Sequence, residues 1–370
     1  MGTSGGRARA WGLGTYSLPS GPLDAITDVP GVRVGHATIR TPVGAPAVGR
    51  TGVTVVRLHD GDPWQERLFA ASHVQNGYGQ LTGRDVLETT GLISTPVFLT
   101  GTRSLGTVYE GAVRVALRQN PRACEDDLPI PVVGECDDSY LSDAAVTVGG
   151  EEVASALAGA SDGPVEEGCV GAGTGMHLYG YKGGIGTASR VVAIGGEGAR
   201  YTYTVGVLLL TNFGRPHQMR LGRVEPPGAA ARDGMPPGSC IGLAVTDAPL
   251  HPLQLSRLAQ RVGFGLVRTG SVGADGSGEI FLAVSTATRL PSRSALPVAV
   301  PVLVDGQVGE GAESPINDLF EAVIEAAEEA VWNALVAAVD MDGREGRRLE
   351  AFRSSHRPDP PSPGGRPLSW

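Results

Sequence analysis

Short runs of β-branched and apolar residues recur along the chain, separated by stretches with helical spacing. The runs Val32–Ile39, Gly52–Arg57, Pro96–Leu99, Pro131–Val133, Ser189–Ile194, Tyr201–Leu210, Cys240–Val245, Ile280–Val284 and Val298–Val304 predict strands. Several are almost continuously apolar, as expected of strands covered on both faces. Helices are predicted from about Leu105 to Leu117, with Thr102 as the candidate N-cap, and over Glu151–Leu157. Another starts at Pro252, where Leu253, Leu255, Leu258, Val262 and Leu266 recur at helical spacing. The clearest helix runs from Pro315 to about Val339, with Ser314 as its N-cap and Ile316, Leu319, Phe320, Val323, Ala327 and Val331 along its apolar face. No repeat is found, and no linker interrupts 20–350, so the pattern predicts one layered α/β domain over 1–353. The stretch 354–370, rich in Pro, Ser, Arg and Gly, is expected to be a disordered tail.

Composition narrows the function. A net charge of −9 provides no basic stripe for phosphates, so a nucleic-acid partner is not expected. The N-terminus lacks an apolar signal-peptide core, and no apolar run is long enough to span a bilayer. A cytoplasmic protein with no membrane contact is therefore expected. Four cysteines (Cys124, Cys136, Cys169 and Cys240) lack C-x-x-C spacing, and the seven histidines lack ligand spacing, so reduced thiols and no metal are expected.

Chemistry gathers around Gly238–Ser239. A hydroxyl nucleophile opens an apolar strand behind the stiff segment Asp233-Gly-Met-Pro-Pro237. Cleavage before Ser239 would leave its hydroxyl beside its own α-amine, a base for a weak nucleophile. Gly238 has no side chain to block that attack. The loop 222–237 upstream is a natural place for an accessible cut. As a bare pair, however, Gly-Ser also fits an ordinary loop-to-strand junction.

Other segments offer partners. Ser277 and Glu279 lie two residues apart at the head of a strand, so they share a face and could relay a proton; a polar hairpin turn fits equally well. Asn212 ends an apolar strand and could donate to an oxyanion, or simply form a turn. Glu135 could bind a substrate ammonium and Tyr140 donate a hydrogen bond, unless this is a solvated acidic loop. The glycine-rich 171–187 has no phosphate-loop motif, because Gly183 follows Lys182; packing around a buried site, with Lys182 as a charged support, fits better.

Taken in order, these motifs resemble a known family. They are Leu23-Asp-Ala-Ile-Thr-Asp-Val-Pro-Gly-Val-Arg-Val-Gly-His36, Asn76-Gly, Gly171-Ala-Gly-Thr-Gly-Met176 and Lys182-Gly-Gly-Ile-Gly-Thr-Ala-Ser-Arg190. Asn212-Phe-Gly-Arg, Gly238-Ser239, Thr246-Asp-Ala-Pro-Leu250 and Gly276-Ser-Gly-Glu-Ile-Phe-Leu-Ala283 complete the series over about 20–340. The chain resembles the L-aminopeptidase/D-esterase (DmpA-like) family, which includes β-peptidyl aminopeptidases.

The resemblance implies a four-layer αββα sandwich, similar to N-terminal-nucleophile hydrolases, with its own connectivity. It implies self-cleavage into 1–238 and 239–370, with the processed heterodimers forming a homo-oligomer. Ser239 would be the nucleophile, Ser277 and Glu279 its supporting pair, Asn212 an oxyanion donor and Glu135 the ammonium anchor. Substrates would be small peptides, amino-acid amides or esters, and no cofactor is implied. Relatives often carry an aromatic two residues after the glutamate; here Asp137 stands there, and Tyr140 is the candidate substitute. Acyl transfer and a non-enzymatic phosphate-binding module are the alternative functions.

Overall fold

The computed structural model describes residues 7–126, 128–196, 199–221, 238–306 and 314–356. The loop expected before Ser239 (222–237) and the tail beyond His356 lie outside the described residues. In chain order the first strands are β1 (Arg33–Arg40), β2 (Arg50–Arg57), β3 (Glu66–Gly77), β4 (Leu92–Ile93), β5 (Val97–Gly101) and β6 (Val132–Cys136). They are followed by β7 (His177–Leu178), β8 (Tyr181–Lys182), β9 (Gly184–Gly196), β10 (Ala199–Asn212), β11 (Ser239–Thr246) and β12 (Gly278–Pro291). The helices are α1 (Arg84–Thr90), α2 (Leu105–Gln119), α3 (Ala123–Asp126), α4 (Gly150–Ala158), α5 (Pro252–Thr269) and α6 (Ile316–Ala337).

Two sheets face each other. One has the order β1-β2-β5-β6 and the other β4-β3-β12-β11-β10-β9. Strand β11 shows why the inner runs are continuously apolar. Its Ile241, Leu243 and Val245 face the other sheet, where Val56, Leu99 and Val132 share their core. Its Cys240 and Ala244 face the opposite way, into a core with Leu255 and Val262 of α5 and Val323 and Trp332 of α6. The smaller sheet is closed on its outside by Val108 and Ala112 of α2 and Val153 and Ala156 of α4, packed on Val53, Val55, Phe98 and Val133. The architecture is therefore a four-layer αββα sandwich. Close layering explains some glycines: a Cβ on Gly186 of β9 would collide with the Ala330 carbonyl oxygen of α6.

Several sequence expectations need correction. Val298–Val304 is not a strand; it runs over the surface with Val298, Val302 and Val304 exposed. Pro297 and Pro301 remove two backbone donors from any ladder there. Strand β3 and helix α1, both unforeseen, supply a central strand and the turn after it. Ser314 does not cap α6 through its side chain, because its hydroxyl accepts the Gly306 N–H at 3.3 Å. Thr102 is not the cap of α2 either. It opens a short helical turn, Thr102–Ser104, and the cap position belongs to Ser104. At the far end, Phe352–Ser355 close into a helical turn, and Ser354 Oγ donates to Asp340 at 2.7 Å. No helix among the described residues is long and apolar enough to cross a membrane.

Candidate active site

Ser239 sits where β11 emerges at the end of the larger sheet, 6% exposed. Its antiparallel neighbour in β10 is Asn212, and its parallel neighbour in β12 is Gly278. The alternation that sends Ile241 and Leu243 between the sheets sends the Ser239 side chain there too, away from Cys240.

The Asn212 amide is locked at both ends. The His177 N–H donates to its Oδ1 at 3.0 Å, and its Nδ2 donates to the Asp137 carbonyl at 3.0 Å. The same Nδ2 lies 3.5 Å from Ser239 Oγ. These bonds orient the amide with its N–H groups toward the serine. Asp137, which stands where an aromatic was expected, contributes its backbone carbonyl. Its carboxylate turns back to accept the Ser139 N–H and hydroxyl, each at 2.8 Å.

Ser277 and Glu279 flank Gly278 on the next strand. The Ser277 hydroxyl donates to Glu279 Oε1, and both residues are buried. Burial pushes the Glu279 carboxyl up from its ordinary value, and hydrogen bonds from Ser277 and Asn76 oppose that shift. The pair lies beside a β-bulge, since the β12–β3 register shifts between Glu279 and Ile280.

Glu135 approaches from the smaller sheet, near the end of β6. Its Oε1 accepts the Gln80 N–H at 2.8 Å and its Oε2 accepts the Thr102 hydroxyl. Burial raises its pKa and these two bonds oppose the rise, while Asp137 adds to it. Residues 79–82 leave β3 and run along β6, with Thr82 N–H on Val133 O at 2.9 Å, so they tie one sheet to the other. A cavity of about 550 Å³ opens beside this tie, lined by Gly77, Gly79, Gln80, Thr82, Arg84 and Ile280. Another, of about 340 Å³ between Trp64, Phe98 and Val115, shares no residue with this group.

Tyr140 and Lys182 make no hydrogen bond to Ser239 or Glu135 among the described residues. The Tyr140 ring lies under Arg347, 5.3 Å from the guanidinium, and packs with Leu141, Met341 and Leu349. Lys182 is fully buried and donates to the carbonyls of Gly173, Met176 and Gly183 at 2.7–3.0 Å. With its three donors used and Gly171–Gly175 buried, this segment has no free cradle for a phosphate. Thr102 and the Gln80 N–H were missed. The signal for Thr102 was present, since a hydroxyl directly after β5 ends beside β6, but its pairing with Glu135 depends on the parallel β5–β6 register.

Known proteins are similar to this chain over nearly its whole length. The model of peptidase family S58 matches residues 24–349. A β-peptidyl aminopeptidase of Sphingosinicella xenopeptidilytica is 37% identical over 361 residues, covering 92% of this chain and 87% of the relative. The L-aminopeptidase D-Ala-esterase/amidase of Ochrobactrum anthropi is 37% identical, with a TM-score of 0.81 over 94% of this chain and 95% of that one. A protein of Pyrococcus horikoshii OT3 is 38% identical, with a TM-score of 0.84 over 94% and 96%.

Proposed function

The chain belongs to peptidase family S58 and is an aminopeptidase, and on that footing we propose that it is a self-processing serine enzyme that releases N-terminal amino acids from small peptides, amides or esters. The observation that carries this reading is the position of Ser239, between the fixed Asn212 amide and the Ser277–Glu279 pair. Maturation would cut Gly238–Ser239 and free the Ser239 α-amine beside its hydroxyl. In turnover, Glu135 holds the substrate ammonium, with its two oxygens already oriented by Gln80 and Thr102. Ser239 Oγ attacks the nearby carbonyl, and its proton passes to the Ser239 α-amine or to Ser277, which Glu279 orients. Asn212 Nδ2 stabilises the oxyanion, and water then releases the amino acid from the acyl-enzyme.

Lys182 supports this site from behind, by holding the turn that carries His177 and so Asn212. Tyr140 has no hydrogen bond to Glu135 or Ser239 among the described residues, and a direct part in binding is not proposed for it. The processed heterodimers are proposed to act as a homo-oligomer in the cytoplasm.

Denaturing electrophoresis tests the central step. Wild type should resolve into two fragments, the smaller beginning Ser-Cys-Ile, and Ser239→Ala should remain whole. A wild-type chain that stays whole while hydrolysing aminoacyl p-nitroanilides would refute self-processing. A panel of L-α-, D-α- and β-aminoacyl p-nitroanilides then fixes the substrate class.

A further inference from the structure

We infer that the Gly278 N–H, and not the Asn212 amide, is the donor that stabilises the developing oxyanion when the chain cuts itself, so maturation and turnover use different donors. The inference rests on the self-cleavage proposed above. Strand β11 lies between β10 and β12, with Ser239 beside Asn212 on one flank and Gly278 on the other. Backbone carbonyls lie in the plane of a sheet and point at one neighbour or the other. The Gly238 carbonyl points at β12, where it accepts the Gly278 N–H at 3.2 Å. Asn212 belongs to the opposite flank, and its Nδ2 is directed at the Asp137 carbonyl and Ser239 Oγ. A catalytic donor must aim at the oxygen on which charge grows. In the uncut chain that oxygen is already held by Gly278.

Packing keeps it so. A Cβ on Gly238 would come within 2.8 Å of Phe213 Cα, and one on Gly278 within 2.6 Å of the Tyr78 carbonyl oxygen. Both positions thus admit only glycine, which lets the Gly278 N–H and the Gly238 carbonyl meet between bare backbones.

The step balances without a co-reactant other than water. Ser239 Oγ adds to the Gly238 carbonyl carbon, and the carbonyl electron pair moves onto the oxygen held by Gly278. The hydroxyl proton passes through Ser277 to the Ser239 nitrogen as the C–N bond breaks, leaving an ester between Gly238 and Ser239 Oγ. Water hydrolyses that ester to the Gly238 carboxylate and a free Ser239 hydroxyl. Substrate carbonyls, no longer part of β11, can then present their oxygen to Asn212.

Replacing Gly278 by glycolic acid through nonsense suppression exchanges this one N–H for an ester oxygen and adds no side chain. Fragment appearance on denaturing gels should slow by at least about tenfold. Asn212→Ala and Asn212→Asp should cut themselves within about threefold of the wild-type rate, yet lose about a hundredfold or more in kcat on an aminoacyl p-nitroanilide. Wild-type cutting by the Gly278 ester would overturn the inference. So would Asn212 variants that stay whole while their circular dichroism is native. If wild type itself never cuts, the self-processing reading falls first, a result the Ser239→Ala control makes recognisable.

Discussion

Thr102, just past the end of β5, donates its hydroxyl to Glu135 Oε2 on the parallel neighbour β6, while the Gln80 N–H holds Oε1. A carboxylate held at both oxygens is already oriented for a cation before substrate arrives.

Glu135→Gln should therefore lower kcat/KM for free aminoacyl p-nitroanilides by about a hundredfold or more, since a charged hydrogen-bonded partner is lost in a buried site. N-acetylation of the substrate should have a comparable effect on the wild type and little further effect on the variant. Steady-state kinetics on the four enzyme–substrate pairs checks the coupling.

The acid limb of the kcat/KM profile should report Glu135. In its proposed role the ionised form binds the ammonium, and burial lifts its pKa above 4.5, so activity should fall as pH drops through a value higher than an ordinary glutamate's. The Thr102 hydroxyl bond lowers that pKa, so Thr102→Val should move the limb to higher pH and raise KM. An unmoved limb would assign it to another group, Glu279 first.

Lys182→Met should destabilise the protein by about 3 kcal/mol or more, because three buried carbonyls lose a charged donor. Urea unfolding should show a lower midpoint with an unchanged slope. A variant of native stability that no longer turns over would instead make Lys182 a participant in the chemistry.

Asp138, buried beside Gly101 and facing Arg103 at 3.8 Å, has its carboxyl pushed up to about 6 by burial. The folded state then binds more protons than the unfolded state between pH 3.8 and 6, so this group lowers stability as pH rises through that window. The penalty is absent below the window and complete above it, at a size of order 3 kcal/mol. Asp138→Asn should flatten this part of the stability curve, measured by urea unfolding from pH 4 to 7.

The sequence disclosed local relationships better than distant ones. Ser277 and Glu279 were readable as a pair because two residues on one strand share a face whatever the fold. The same rule turns Cys240 away from Ser239. Thr102, in contrast, looks like a helix cap until β5 and β6 are laid side by side. Strand β3 was missed because its Glu66, Arg67, His73 and Gln75 interrupt the apolar pattern, although it pairs with both β4 and β12. Val298–Val304 misled in the other direction: its valines favour a strand, but Pro297 before it and Pro301 within it deny it a ladder. The family motifs located Asn212, yet only tertiary structure supplies the two bonds that orient its amide.

Glu135 and Ser239 stand on different sheets. The strands that carry them are spaced by side chains that meet between layers roughly 10 Å apart. At Gly134, the residue before the anchor, a Cβ would come within 2.8 Å of Ile241 Cγ2 on the nucleophile's own strand. An apolar contact in the interior therefore sets how closely the strand of the proposed anchor approaches the strand of the proposed nucleophile. Resizing Gly134 or Ile241 should shift that approach without touching a polar group of the site.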